Sequence, residues 1–111
     1  MSDQLGLVFG ALADPTRRQM LETLIRDGST SVPALTAELP ITRQAVAKHL
    51  SALSGAGLVE RELGTSGREI HYHLSPGALG PAASWMRIAD AAWAGRLDRL
   101  RTSLETGGAA S

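Results

Sequence analysis

Five polar side chains that can bind nucleic acid lie close together near the middle of the chain. Arg43 can form paired hydrogen bonds with a guanine base, and Gln44 can do the same with adenine. Thr42, Lys48 and Ser51 suit contacts with phosphate groups. The segment that carries them has no aspartate or glutamate, so nothing within it would repel a phosphate backbone. These residue types indicate a surface for DNA, and an ordinary solvated helix face is the alternative.

A second group with chemical potential is the pair of histidines in the stretch IHYHL. In an extended strand His71 and His73 lie on one face, and Glu69 shares that face. Zinc normally takes three or four protein ligands, so two imidazoles alone do not make a zinc site. A plain surface strand is favoured, because Ile70 and Tyr72 would occupy the opposite, inward face. Two other roles of these histidines stay open: contact with DNA or a partner subunit, and sensing of metal or pH.

Composition excludes several classes of protein. Eleven basic and eleven acidic side chains cancel, so any binding to nucleic acid must come from the placement of charge. The chain has no cysteine, which excludes disulfides and thiolate metal sites. It shows no signal peptide and no apolar run that could cross a membrane, so a cytoplasmic protein is expected. No catalytic triad, phosphate-binding loop or carboxylate pair indicates an enzyme, and we expect none.

Helix signals recur along the first half of the chain, which at this length should form one domain. Apolar spacing predicts a short helix at residues 4–12. Asp14 is a good N-cap for a second helix, which Gly28 can end in a left-handed conformation. Ser31 can cap a third helix, and Pro40 stops it because the residue before a proline is pushed out of the helical region.

The polar segment itself forms the fourth helix, capped by Thr42. Its buried stripe consists of Val46, Leu50 and Leu53. The polar residues then face outward, and Ala47 is small enough to permit close approach.

Residues 58–63 and 68–74 alternate in character around a loop with two glycines, which predicts a β-hairpin. The predicted fold is mainly α with a small hairpin, in the order α-α-α-α-β-β-α, and its paired helices match an arrangement that reads the DNA major groove.

Other basic residues could add contacts with DNA. Arg61 and Arg68 flank the hairpin tip, and Thr65 and Ser66 in its loop could reach phosphates or the minor groove. Three glutamates in the hairpin oppose this, and a hairpin that only covers the core is the alternative. Arg17, at the start of the second helix, is a further candidate for a phosphate contact, with plain surface charge as its alternative.

A long last helix is predicted from Pro81 to about residue 105, followed by a disordered tail at residues 107–111. Monomeric proteins rarely expose an apolar stripe of this length. We therefore expect two copies to bury it across a two-fold axis, and burial within a single chain is the alternative. The stripe includes Trp85, Ala89, Trp93, Leu97 and Leu100.

Three segments together resemble the ArsR/SmtB family of winged helix-turn-helix repressors. They read ALADPTRRQMLETL, TRQAVAKHLSALSGAGLVE and REIHYHL, and the similarity covers about residues 5–105. The resemblance implies a homodimer that packs through its first and last helices, which adds Leu5, Val8 and Phe9 to the expected interface. It implies binding to a palindromic operator in double-stranded DNA. It also implies recognition positions at Thr42, Arg43, Gln44, Ala47 and Lys48.

The chain departs from the metal-sensing members of this family. Their third helix often carries a cysteine pair, whereas here it reads PALTAEL, and the last helix lacks the histidine ligands found in others. The last helix instead carries tryptophan and the run RLDRL, and this pattern resembles a metal-free branch of the family. We therefore expect residues 1–106 to form the DNA-binding domain of a repressor with no cofactor or metal. A metal- or small-molecule-responsive repressor and a module that binds protein are the alternatives.

Overall fold

The computed structural model of the protein describes residues 3–64 and 67–110. The described elements are α1 (Gln4–Leu12), α2 (Pro15–Asp27), α3 (Val32–Glu38), α4 (Arg43–Gly55), β1 (Val59–Leu63), β2 (Ile70–Leu74) and α5 (Gly80–Ala110). This is the predicted order, and the mainly helical fold with one hairpin is confirmed. The residues up to Leu79 form one compact unit and those from Gly80 onward form another. The second unit consists almost entirely of one long helix, and the single DNA-binding domain expected for residues 1–106 stays a prediction.

Each of the first four helices begins at a side chain suited to that position. Asp3, Asp14, Ser31 and Thr42 each accept a hydrogen bond from the backbone N–H three residues later, at 2.9–3.2 Å. Such caps satisfy amide groups that have no partner within the helix. At the other end of α2, Gly28 has a φ of 85°, a backbone conformation that glycine adopts without strain. The predicted caps are confirmed.

The core of the first unit consists of aliphatic side chains from α2, α3, α4 and the start of the hairpin. The largest fully buried ones are Met20, Leu24, Leu35, Val46, Leu50, Leu53 and Leu58. Three of these, Val46, Leu50 and Leu53, are the stripe predicted for α4. Because the stripe faces the core, the polar residues between its members are directed outward.

The hairpin is antiparallel and is tied to the helices through its second strand. Val59 lies opposite Leu74, and the register continues to the end of both strands. The backbone of Tyr72 exchanges two hydrogen bonds with Thr30, at 3.0 and 2.8 Å, so the segment before α3 acts as a one-residue third strand. The predicted loop residues Thr65 and Ser66 lie outside the described part of the chain.

The last helix is longer than predicted. It continues to Ala110, through residues predicted to form a disordered tail, whereas Ser111 lies outside the described residues. Gly107 and the glycine after it lower helix propensity, but neither a proline nor a left-handed residue ends the described helix before that point. None of the described helices meets the length and apolarity needed to span a membrane.

Candidate nucleic-acid interface

The outer face of α4 carries the side chains predicted to contact DNA. Arg43, Gln44, Ala47, Lys48 and Ser51 are all exposed. Within the described part of the chain, no hydrogen bond or ion pair engages the side chains of Arg43, Gln44 and Lys48. Their donor groups are therefore available to an external partner without breaking any contact in the protein.

The turn before α4 fixes where this face begins. Leu39 is extended, as expected before a proline, and its N–H bonds to the carbonyl of Leu35 at 2.9 Å. Two residues after Pro40, the Thr42 hydroxyl oxygen accepts from the N–H of Ala45 at 3.1 Å. The hydroxyl hydrogen of Thr42 remains available to a phosphate oxygen. The helix-turn-helix geometry thus follows from local hydrogen bonds together with the packing of α3 on α4.

Arg17, which was predicted to contact phosphate, also has a structural role in the folded chain. Its guanidinium donates to the carbonyls of Ala11 at 2.9 Å and Gly10 at 3.2 Å. One of its terminal nitrogens also lies 3.4 Å from Nδ1 of His49 on α4. Carbonyls at a helix C-terminus lack partners within the helix, and Arg17 supplies them for α1. Because each of its three guanidinium nitrogens has a partner inside the protein, Arg17 links α1 to α4. Its contact with phosphate stays a prediction.

Asp14 belongs to the same polar cluster. The N–H of Arg17 bonds to its carboxylate, and this hydrogen bond holds the pKa of Asp14 below its usual value of 3.8. The nearby guanidinium and the His49 ring, 4.0 Å from the carboxylate, act in the same direction. The ionised form of Asp14 is therefore favoured in the folded protein.

Acid should weaken the fold partly through Asp14. Since its pKa is lower when folded, its ionisation stabilises the protein above pH 3.8, and that contribution is lost as the pH falls through the folded-state pKa. Asn caps a helix about as well as Asp but does not titrate. Asp14→Asn should therefore reduce the loss of stability between about pH 5 and pH 3. Urea unfolding at several pH values measures this, and equal acid sensitivity of both proteins would contradict it.

The hairpin separates its charges by face. Arg61 lies opposite Tyr72, and in a strand alternate residues point to opposite sides. The glutamates that flank Arg61 therefore lie on the other side of the hairpin. The members of that other face are Glu60, Glu62, His71 and His73. Arg68, the other arginine predicted to contact DNA from the hairpin, is exposed in the loop before β2.

The two histidines of IHYHL pair with glutamates. Nε2 of His71 lies 3.2 Å from a carboxylate oxygen of Glu69, and Nε2 of His73 lies 3.1 Å from one of Glu60. Nδ1 of His73 is 3.7 Å from Glu62. Over the described residues, no group of three or more metal-ligating side chains could hold a metal ion. The histidines are half-buried partners of surface carboxylates.

The apolar residues predicted for a dimer interface fall into two groups. On α5, Trp85, Trp93, Leu97 and Leu100 are exposed by 46–58%. On α1, Leu5 and Phe9 are half-buried, as is Ala89 on α5. Val8 differs from the prediction, because only 5% of it is exposed in the single chain, and it is therefore a core residue. Apolar spacing does not separate the two sides of so short and apolar a helix. Leu7 on α1 and Met86 and Ile88 on α5 are also exposed, and the sequence pattern did not single them out.

Known proteins show the same fold and related sequences. A family model described as a helix-turn-helix domain matches residues 12–62. The solved ArsR-like transcriptional regulator from Rhodococcus sp. RHA1 is 39% identical, with a TM-score of 0.82 over 93% of this chain and 92% of that one. This chain belongs to the ArsR family of transcriptional regulators. In this family member, α3 and α4 form the helix-turn-helix and the hairpin is the wing.

Two further relatives extend the comparison of this ArsR-family chain. The HTH-type transcriptional regulator CmtR of Mycobacterium tuberculosis is 43% identical over 72 residues, which are 65% of this chain. The match spans 58% of the length of CmtR. The homodimeric winged helix-turn-helix DNA-binding domain of Mb0332 from Mycobacterium bovis is 27% identical, with a TM-score of 0.63. It covers 79% of this chain and 80% of that domain.

Proposed function

We propose that this ArsR-family protein is a dimeric, sequence-specific DNA-binding repressor that works in the cytoplasm and has no enzymatic activity. The observation that carries the proposal is the outer face of α4, where Arg43, Gln44 and Lys48 are exposed and unpaired among the described residues. No carboxylate lies on α4 to oppose the phosphate backbone. Bound at a promoter, such a protein would block access to it.

Each residue of the interface has a proposed role. Arg43 and Gln44 stand in the first turn of α4 and would read base edges in the major groove. Ala47 has no polar group and would allow the helix to approach the bases closely. Phosphate contacts would come from Thr42, Lys48, Ser51, Arg61 and Arg68.

The proposed dimer rests on the exposed apolar residues of α5. An apolar stripe of this length is unusual on the surface of a monomer, and burial against a second copy would remove it from water. The homodimeric Mb0332 domain has a similar fold, which supports the same assembly here. A two-fold dimer would present two copies of α4 to half-sites about 34 Å apart, as a palindromic operator requires. The expected interface comprises Leu5, Phe9, Trp85, Ala89, Trp93, Leu97 and Leu100.

We propose that repression needs no resident metal or cofactor. The two histidines that could have contributed to a metal site lie beside glutamates instead. No group of three or more ligating side chains that could hold a metal ion occurs in residues 3–64 and 67–110. An unidentified small-molecule effector is compatible with this proposal.

Arg43→Ala should lower the preference for the selected DNA site by about 1–3 kcal/mol, because a bidentate contact with guanine would be lost. Duplexes selected from a random pool supply the site, and mobility shifts with specific and scrambled duplexes measure the preference. Lys48→Ala is the matched control. It should weaken binding to every sequence alike and reduce the salt slope by about 1, since it would remove one phosphate contact.

Two results would contradict the proposed function. Random-pool selection could enrich no sequence, in which case α4 reads no bases. Alternatively, the protein could show no salt-dependent affinity for any DNA, which would favour a winged-helix module that binds protein. Circular dichroism of each variant shows whether a loss of binding reflects a loss of fold.

A further inference from the structure

A groove separates the second half of α4 from the inner face of the hairpin. Its volume is about 510 Å³. Leu50, which is fully buried, lies at its base. The remaining lining residues are Ala47, Ser51, Ser54, Gly55, Arg61 and Tyr72. The groove lies wholly within the first compact unit and adjoins the face of α4 proposed to meet DNA.

Four lining residues carry groups that donate hydrogen bonds. They are the guanidinium of Arg61 and the hydroxyls of Tyr72, Ser51 and Ser54. Among the described residues, none of these side-chain groups has a hydrogen-bond or ion-pair partner. No carboxylate lines the groove. One fixed positive charge and three free hydroxyls suit an anion that has several acceptor oxygens.

The secondary structure brings these residues to one place. Ser51 and Ser54 are three residues apart on α4 and so share a face of the helix. Arg61 and Tyr72 are direct cross-strand neighbours, and such side chains lie about 5 Å apart at Cβ. The alternation of the strands leaves Glu60 on the opposite side of the hairpin. The groove is therefore positive although the hairpin as a whole is not.

Hydrogen bonds to three of the last four carbonyls of α4 reduce the negative potential at that end of the helix. The carbonyls of a helix C-terminus are partly negative and would repel an anion if they were free. Here the N–H groups of the following loop bond to them: Ala56 to Ala52 at 3.1 Å, and Leu58 to Leu53 at 3.0 Å. The carbonyl of Ser54 is likewise bonded, to an N–H at 2.9 Å.

We propose that this groove binds one phosphate of the DNA backbone, held by Arg61 and Tyr72 from the hairpin and by Ser51 and Ser54 from α4. The inference rests on the proposed function and deepens it. It assigns Tyr72 and Ser54 a role that their residue types alone did not suggest. The phosphate links α4 to the wing, so the groove sets how the hairpin sits on the duplex.

Tyr72→Phe tests the proposal with little disturbance, because it removes only a hydroxyl that has no partner in the described protein. It should weaken binding to specific and random duplexes alike, by about five- to tenfold. Arg61→Ala should weaken binding further and lower the salt slope by about 0.9. Arg26→Ala is the control, because it removes the same charge from an arginine outside the groove. It should leave the affinity within about twofold.

A phosphate scan shows whether these residues act at one site. Uncharged methylphosphonates replace the backbone phosphates of the selected duplex one at a time. At the bound phosphate, wild-type protein should lose affinity, and Tyr72→Phe and Arg61→Ala should lose little more, since each would remove the same contact. The proposal would be overturned if, at every phosphate, the variants lost as much affinity to a methylphosphonate as wild-type protein does. It would also be overturned if Tyr72→Phe bound DNA with the same affinity as the control Arg26→Ala.

The failure of this inference can be told apart from failure of the proposed function. If Arg43→Ala relaxes sequence preference while Tyr72→Phe has no effect, the groove proposal is wrong and the DNA-binding function stands. A free phosphorylated compound is the other source of the same chemistry. Titration of DNA-free protein with inorganic phosphate, followed by NMR of the Tyr72 ring, should show only millimolar or weaker binding. Micromolar binding, with no effect in the methylphosphonate scan, would overturn the assignment to DNA.

Discussion

Leu53→Ala should lower the free energy of unfolding by about 2–5 kcal/mol, which is a large part of the stability of a small domain. Leu53 is completely buried on the inner face of α4. Truncation removes apolar contacts and leaves a cavity that the neighbouring helices can only partly fill. Urea unfolding at one fixed protein concentration measures the change, because the stability of a dimer depends on concentration.

The matched control for this core substitution is Ile25→Ala. Ile25 is a large aliphatic residue on α2, but 64% of it is exposed. Its truncation should change stability by less than about 0.5 kcal/mol. Similar losses for Leu53→Ala and Ile25→Ala would contradict the arrangement of α4, because the face assigned to the core would then not be buried. The same result would remove the reason for placing Arg43 on the outside.

Leu97→Asp should prevent dimer formation at micromolar concentrations. The side chain of Leu97 is 46% exposed in the single chain and belongs to the apolar stripe of α5. The proposed two-fold interface would bury two new carboxylates per dimer, each at a cost of several kcal/mol. We expect the dissociation constant of the dimer to rise at least about 100-fold, as measured by sedimentation equilibrium.

Thr102→Asp controls for added negative charge on α5. Thr102 is exposed and lies on the side of the helix opposite the apolar stripe, given 100° per residue. This variant should remain dimeric and should bind DNA with only a modest loss. If Leu97→Asp remains dimeric as well, the stripe is not the interface. If both variants are monomeric yet bind a palindromic site as tightly as wild-type protein, the proposed pairing of two half-sites is wrong.

Local sequence determined the elements of this fold. The starts of α2, α3 and α4 followed from short-range rules: Asp14, Ser31 and Thr42 cap these helices through hydrogen bonds that span only three residues. The stripe of α4 followed from helical periodicity, so the outward direction of Arg43 and its neighbours was also predictable. Similarity of motifs then indicated the family, which the comparisons with known proteins confirm.

Contacts between distant parts of the chain decided the rest. Arg17 looked like a surface cation until the fold placed the carbonyls of α1 and the ring of His49 within its reach. The opposite faces of Arg61 and Glu60 were implicit in strand alternation. The packing of the hairpin determines which of its two faces lies towards α4. The groove beside Tyr72 therefore exists only in the folded chain. Sequence patterns specify local conformation because those hydrogen bonds are short-range. The partner of a long, flexible side chain depends on which backbone groups folding brings near it.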